Sequence, residues 1–511
     1  MDTALLAQSP DIELGIPGFR YADLHDARRL ADLTKAFDED LHVADPPLFA
    51  KYGAHRSGAA RLRGPEESEL LLQLGAHLSR FVGRLFGVQA ELQKLRDAAG
   101  REAPIFRVKR DFVQRRVFKK GAKERPAAGD FAQLDASVQP LLAAAGKRDP
   151  RASLARDDRE LRLALVLDTL LDAETAAPAS LQFFAWQDLR GAFERGLADA
   201  GSAAPVALEP APLLDLFDKW LYALSLQARP PQWPLLRLPH AIDFAQLVPL
   251  RRPRQPWSLE GFPEHQRKRD GFRLTDLRMT AREVRSEIDY CIYCHEREKD
   301  SCSKGLPEKD SKHFKKNPLG IPLTGCPLEE RISEFHAAAR EGDALAALAL
   351  VCIDNPMAPG TGHRICNDCM KACVYQKQDP VNIPQIETRV IVDVLRIRWG
   401  FEIWSLLTRW NPLRVERQHP RPYSGVNALV VGMGPAGYTL AHHLLNEGFG
   451  VVGIDGLKIE PLPETVLKRP VEKFDDVFGK PLDERTTSGF GGVSEYGITV
   501  RWDKAFLDVL R

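Results

Sequence analysis

Apolar residues recur at intervals of three and four through much of the first 230 positions, as in Leu70, Leu71, Leu72, Leu74, Leu78, Phe81, Val82 and Leu85. That spacing puts them on one face of a helix. Similar patterns run over 161–171 and 213–226 and predict further helices. Ala-Arg-Pro-Pro-Gln-Trp-Pro at 228–234 cannot continue a helix, because consecutive prolines remove donors and fix φ. A second proline-rich stretch, 248–257, leads into a different kind of sequence. There the pattern predicts a helix over 327–341 closed by Gly342, then a helix over 344–353 capped by Asp343 and ended by Asn355-Pro356. Near the carboxyl end the period changes. Asn427 to Val431 reads as a short strand, Gly432-x-Gly434-x-x-Gly437 as a turn, and Tyr438 to Asn446 as a helix closed by Gly448. Phe449 to Ile454 reads as a second strand ending at Asp455. The expected fold class is multidomain: a mainly α-helical amino-terminal half (1–250), an α-helical cysteine-bearing domain (251–420) and the start of an α/β Rossmann-like domain (421–511).

Composition narrows the function classes. The 511 residues allow roughly three domains of about 150 residues each. A net charge of +1 gives no overall reason to expect nucleic acid or an anionic membrane as partner. The segment 107–125 does carry nine Lys or Arg against two acids, with Phe112 and Phe118 interleaved. It reads as a helix with its Phe face inward and its cations solvated, in preference to a docking patch. The first ten residues carry an acid where an export signal needs a basic region. The longest apolar run, 344–353, is shorter than the roughly 18 residues a bilayer requires. A cytoplasmic chain without membrane segments is expected, with its thiols reduced.

Those thiols carry the chemistry. All eight cysteines lie between Cys291 and Cys373, and seven are grouped as Cys291-x-x-Cys294, Cys302, Cys326-Pro327, Cys366-x-x-Cys369 and Cys373. A zinc ribbon normally separates its CxxC pairs by about 15 to 20 residues, whereas 71 intervene between Cys294 and Cys366. It would also leave three thiols unused. Iron-sulfur clusters take thiolates in fours and tolerate ligands exchanged between sequence groups. Cys352 lies in the apolar run of a helix and is expected to be a small buried hydrophobe. Seven ligands then remain, and an eighth could come from His295, His363, Asp368, Gln385 or Glu387.

The motifs Cys326-Pro-Leu, Glu334-Phe, Glu341-Gly-Asp, Asn355-Pro, Gly362-His-Arg-Ile-Cys366, Cys369, Cys373 and Pro380-Val-Asn-Ile383 resemble the amino-terminal domain of the glutamate synthase small subunit family. Dihydropyrimidine dehydrogenase carries a similar domain. The resemblance implies two [4Fe-4S] clusters held by interleaved ligands. It places Cys291, Cys294, Cys302 and Cys373 on one, and Cys326, Cys366, Cys369 and Glu387 on the other, with Gln385 as the alternative to Glu387. The chain departs from the family in longer gaps on both sides of Cys302 and a shorter one from Cys366 to Cys369. The Lys-rich insertion 303–325 is expected as an exposed loop.

The glycine turn predicts a pyrophosphate seat on backbone amides at a helix amino terminus. Asp455 would accept from a ribose diol and repel a 2′-phosphate, which leaves FAD or NAD at this turn. The form Gly434-Pro435-Ala436-Gly437 resembles the FAD site of the same family, as does Gly491-Gly492-Val-Ser-Glu-Tyr496-Gly497-Ile498. The resemblance implies an oxidoreductase passing electrons between NAD(P)H, FAD and the clusters to an acceptor protein, subunit or substrate site. Eighty residues follow Val431, so the flavin domain is expected to be incomplete. The resemblance implies a further NAD(P)H-binding domain after it. A zinc-stabilised interaction module and a pyrimidine reductase-like enzyme are the alternatives.

Overall fold

The structure is a computed structural model that describes residues 12–119, 126–155, 157–248, 250–251, 257–261, 279–309, 311–361, 366–455 and 470–473. Contacts divide the chain into two units, one of residues 1–97 with 240–511 and one of residues 98–239. The chain begins with α1 (Ala27–Ala44), α2 (Pro46–Ser57) and α3 (Pro65–Phe86), and α4 (Gln89–Val108) contains the boundary between units. The second unit holds α5 (Phe131–Arg148), α6 (Arg159–Ala173), α7 (Leu181–Asp199) and α8 (Pro210–Ser225). The first unit resumes with α9 (Ala281–Tyr290), α10 (Ile332–Arg340), α11 (Ala344–Asp354), α12 (Ile383–Arg396) and α13 (Gly400–Arg409). It continues into β1 (Asn427–Val431), α14 (Pro435–Asn446) and β2 (Gly450–Ile454). The described fold is mainly helical, with one small parallel sheet of β1 and β2 and a two-residue antiparallel ladder of Leu250–Arg251 with Glu260–Gly261. No helix of the described residues is long and apolar enough to cross a membrane.

In the second unit α5 and α6 each pack on α7 and α8 around Leu141, Leu167, Phe193, Phe217 and Trp220. Phe112 of the basic segment is buried in this core and Phe118 packs partly buried against it, while Arg107 pairs with Asp168 and Asp172 and Arg116 pairs with Glu174. Its Phe face packs inward, and these two cations are held in ion pairs. Residues 120–125 lie outside the described residues.

The first unit is built around α11. Its sequence, Ala-Leu-Ala-Ala-Leu-Ala-Leu-Val-Cys-Ile, is apolar on every side, and a helix of that kind must be covered all round. Every side chain from Leu345 to Cys352 is at most 2% exposed, with α3, α10, α12 and α13 packed about it. Burying a leucine fully contributes about 1.5–3 kcal/mol, and α11 buries Leu345, Leu348 and Leu350.

Two boundaries differ from the sequence expectation. Residues 12–97, expected within one amino-terminal region reaching to 250, share the core of the cysteine-bearing half. Specific bonds tie them there. Ser79 Oγ donates to Asp343 Oδ1 at 2.6 Å, Ser68 Oγ to Glu334 Oε1 at 2.7 Å, and Tyr52 Oη to the Pro412 carbonyl at 2.8 Å. The helix expected from residue 327 begins only at Ile332, because Glu329 adopts φ +51° and the Arg331 amide donates to the Asp354 carboxylate at 3.3 Å. By contrast β1 falls on the five residues expected, whereas α14 opens at Pro435, three residues before the expected Tyr438, because a missing N–H costs nothing in a first helical turn.

Candidate functional site

Four of the predicted ligands share one cavity. Cys291 caps the end of α9, Cys294 opens the 3-10 turn Cys294–Arg297, Cys302 lies in the short helix Ser301–Lys304, and Cys373 follows the short helix Asp368–Lys371. All four line a narrow cavity, together with Ser301, Ser333, His336 and Tyr375, whose free space is about 320 Å³ when the gaps between atoms and the open mouth are counted. Local geometry brings them together. Tyr293 and Glu298 take φ of +51° and +52°, turning the chain sharply on both sides of Cys294. Tyr290 and Tyr375 stack at 4.3 Å and 8°, and Tyr375 Oη donates to the Tyr290 carbonyl at 3.2 Å, which fastens the Cys373 segment to α9. Behind the cavity the His295 amide donates to Ser333 Oγ at 3.2 Å.

The electrostatics are those of thiols kept from water. Burial pushes Cys291 up to about 12 and Cys294 up to about 11, with the neighbouring thiols and Asp300 adding to the rise. Cys302 is raised further, by burial first and then by Asp300, whose Oδ1 accepts from its Sγ at 3.1 Å. A cation or cluster binding here must therefore displace protons. Two polar side chains that line the same cavity have no partner: Ser301 Oγ, and His336 at both Nδ1 and Nε2. His336 is fully buried, and the loss of hydration pulls its pKa down to about 3. Neutral imidazole and hydroxyl groups left without partners cost about 1–3 kcal/mol each, and an acceptor in the cavity would relieve the Ser301 hydroxyl and one of the two His336 nitrogens.

The other predicted ligands form a second group. Cys369 is half-buried, and its pKa is pushed up first by loss of hydration and then by the charges of Glu330, Cys326, Glu387 and Cys366. Cys326 is raised to about 12 by burial and by Glu330 and Glu387. Glu387, on α12, accepts from Asn355 Nδ2 at 3.1 Å. Gln385 is turned elsewhere, its Oε1 accepting from the Met279 amide at 3.2 Å, and Asp368 pairs with Lys371 at 2.7 Å. His363 lies outside the described residues. The two groups meet through the backbone, where the Cys326 amide donates to the Cys302 carbonyl at 2.9 Å. The insertion 303–325 is folded back on itself at that point, with Leu306 and Lys315 bonded to Leu323 and Leu306, while most of its tip is exposed. Cys352 belongs to neither group and is buried in α11. Among the described residues no three His, Cys, Asp or Glu side chains converge closely enough to hold a single metal ion.

Sequence reasoning missed Glu330, Ser301 and His336. Glu330 is buried beside Glu387, and that pairing together with burial raises its carboxyl well above the usual range. Its only sequence signal is the acidic pair Glu329-Glu330 just after Cys326-Pro, which reads as a solvated first turn.

The glycine turn lies between β1 and β2, which pair in parallel from Asn427↔Gly450 to Val431↔Ile454. Gly432 has φ +91°, open only to glycine at low cost. A Cβ at Gly437 would lie 1.8 Å from the Gly432 carbonyl oxygen, so the helix and turn approach as closely as backbone allows. A Cβ at Gly434 would meet nothing within 4 Å, leaving open space in front of the α14 amino terminus, where Pro435 and Ala436 form the first turn. Asp455 departs from its expected role in one respect: its Oδ2 accepts from the Met433 amide at 2.7 Å and so braces the turn. Gly491, Gly492, Tyr496 and Gly497 lie outside the described residues.

Comparison with known proteins gives partial matches. Residues 14–87 match the family model described as the RP005 N-terminal alpha-helical domain. The chain is 55% identical to the uncharacterized protein RP006 of Rickettsia prowazekii over 155 residues, 30% of this chain and 22% of RP006. It is 26% identical to RP005 of the same organism over 320 residues, 61% of this chain and 93% of RP005. The glutamate synthase [NADPH] small chain of Mycobacterium tuberculosis is 33% identical over 135 residues, 26% of this chain and 25% of that protein. The similarity is distant and partial. The chain thus spans about a fifth of RP006 and a quarter of the glutamate synthase small chain. No solved structure matches.

Proposed function

We propose that this chain is a flavin and iron-sulfur oxidoreductase related to the glutamate synthase small chain. In this reading it carries electrons between FAD and two [4Fe-4S] clusters, with NAD(P)H as donor and a partner protein or substrate site as acceptor. The observation that supports it most is the single cavity shared by Cys291, Cys294, Cys302 and Cys373, with the unpartnered atoms of Ser301 and His336 lining it. A bound cluster supplies one-electron transfer, and its potential depends on hydrogen bonds to its sulfurs and on burial. The residues present fit that group. Four thiols give one thiolate per iron, and the Ser301 hydroxyl and a His336 ring N–H are donors with no other acceptor. Burial disfavours ionisation of the thiols, so a metal that binds them would displace their protons.

For the second cluster the residues at hand are Cys326, Cys366, Cys369 and Glu387, with Asn355 orienting the Glu387 carboxylate. For the flavin, Gly432 and Gly437 shape the turn, Gly434 leaves the approach clear, and the α14 amino terminus offers amides to a pyrophosphate. Asp455 holds the Met433 amide and so sets the turn that the dinucleotide would meet. The partial match to a glutamate synthase small chain supports the same chemistry.

The test is low-temperature electron paramagnetic resonance of anaerobically prepared protein reduced with dithionite, together with flavin extraction. Two interacting cluster signals and bound FAD are expected. Their absence, with the thiols occupied by zinc, would favour the interaction-module reading.

A further inference from the structure

A separate cleft opens in the first unit, distinct from the thiol cavity and the glycine turn. It encloses about 2290 Å³, including its open mouth, between the end of α2 and the start of α3, the ends of α11 and α14, and the irregular segment after α13. Eight arginines line it against three carboxylates, Glu67, Asp354 and Glu416. Asp38 holds Arg56 and Glu447 holds Arg417 and Arg421 from outside the lining, so the uncompensated charge rests on Arg61, Arg63, Arg409 and Arg414. Two of the three lining carboxylates are already engaged: Arg331 holds Asp354 at 2.7 Å and Glu67 at 3.4 Å. The third meets Arg61 only at 3.5 Å between exposed side chains, a contact of little energy.

Arg414 makes the imbalance acute. Its Nη1 and Nη2 donate to the Thr408 and Cys352 carbonyls at 3.2 and 2.6 Å, and its buried Nε has no partner. It is held by neutral acceptors, and burial lowers its pKa. A half-buried guanidinium that feels Asp354 but makes no hydrogen bond to a carboxylate leaves its buried Nε for an anion to complete. The wall that carries it is fixed in place. Asn411 Nδ2 donates to the Ala349 carbonyl at 2.8 Å, and the Tyr52 bond to Pro412 holds the same segment. Arg417, whose Nη2 pairs with Glu447, adds a buried Nη1 with no hydrogen-bond partner, and Arg61 and Arg63 stand exposed at the mouth. Several guanidiniums converging on one preformed cleft suit an anion of more than one charge, and the planar donor forks of arginine match phosphate oxygens two at a time.

We propose that this cleft is a binding site for an anion bearing a phosphate or diphosphate group, such as an organic phosphate. Its position gives it a route to the second cysteine group. Asp354 and Arg331, in its wall, are the chain neighbours of Asn355 and Glu330, which meet beside Glu387. The proposal does not depend on the redox reading.

The test is calorimetric titration of the full chain, prepared anaerobically at low ionic strength, with inorganic pyrophosphate. Saturable binding to one site is expected, and citrate at equal concentration should bind at least tenfold more weakly. The double substitution Arg61→Ala/Arg63→Ala, at exposed positions that leave the fold intact, should weaken pyrophosphate binding tenfold or more. Arg414→Met should abolish it. Unchanged pyrophosphate binding in the double variant, no binding to the unsubstituted chain, or citrate bound as tightly as pyrophosphate would overturn the assignment.

Discussion

The two inner glycines of the turn make separable predictions, because the space around them differs. At Gly437 an added Cβ would sit 1.8 Å from the Gly432 carbonyl oxygen and 2.8 Å from its carbonyl carbon. Ordinary contact begins near 3.4 Å, so α14 must withdraw from the turn by well over an ångström. Overpacking of that kind costs about 1–3 kcal/mol or more, and Gly437→Ala should loosen the β1–α14–β2 segment. Gly434 is different. Its φ of −67° suits alanine and its Cβ would touch nothing. Alanine gains from a less flexible unfolded chain by about 0.4–1 kcal/mol and loses a comparable amount as a poorer helix cap, so stability should change by less than about 1 kcal/mol. If a pyrophosphate lies against that backbone, the same methyl occupies its path, and FAD affinity should fall at least tenfold, or about 1.4 kcal/mol. Hydrogen exchange of the β1 and α14 amides reads the first effect, and FAD titration reads the second. Should Gly434→Ala bind FAD as the parent does, the dinucleotide seat is misplaced. If Gly437→Ala retains full amide protection, the packing argument fails.

Three further predictions concern other parts of the first unit. Cys352→Ala should cost about 1–2 kcal/mol in a chemical unfolding curve through the small cavity it leaves, without changing iron content, whereas Cys302→Ala should lose about half the iron. His336→Leu and Ser301→Ala should fold and bind iron, but each should lower the midpoint potential of one cluster in a redox titration, since a hydrogen-bond donor to sulfur is removed. His25 Nδ1 lies 3.1 Å from Arg409 Nη1, and burial, then Arg409, pull its pKa from 6.5 down to about 3. The folded state therefore binds this proton less readily than the unfolded state. The stability it contributes is complete above pH 6.5 and is lost as pH falls toward 3, at about 1.4 kcal/mol per pH unit. Urea unfolding at pH 7.5 and 5.5 should accordingly show His25→Gln losing about 1.4 kcal/mol less than the parent between those values.

Some of this could be read from residues alone because local rules decide it. β1 is bounded by Gly432, α14 by Pro435 and Gly448, and α11 by Asp343 and Asn355-Pro356, so each end has a chemical cause within a few positions. The cysteine grouping was legible for a related reason: thiols have few uses at that density, and the spacing singled out Cys352 as different. What could not be read is set by distant partners. Nothing in α3 announces that Ser68 and Ser79 will bond Glu334 and Asp343, more than 260 positions away, and so the shared core of residues 12–97 was invisible. Glu330 looks like a solvated acid until Asn355 and Glu387 are placed beside it. His336 follows Phe335 on a helix and reads as an ordinary partly exposed position, although α10 turns it inward to the thiols.

The central claim is that seven cysteines and one glutamate hold two four-iron clusters. Its most direct test is the iron and acid-labile sulfide content of the anaerobically prepared chain. The account predicts about eight of each per chain, falling to about four in Cys302→Ala. Zinc in place of iron, with no labile sulfide, would contradict it.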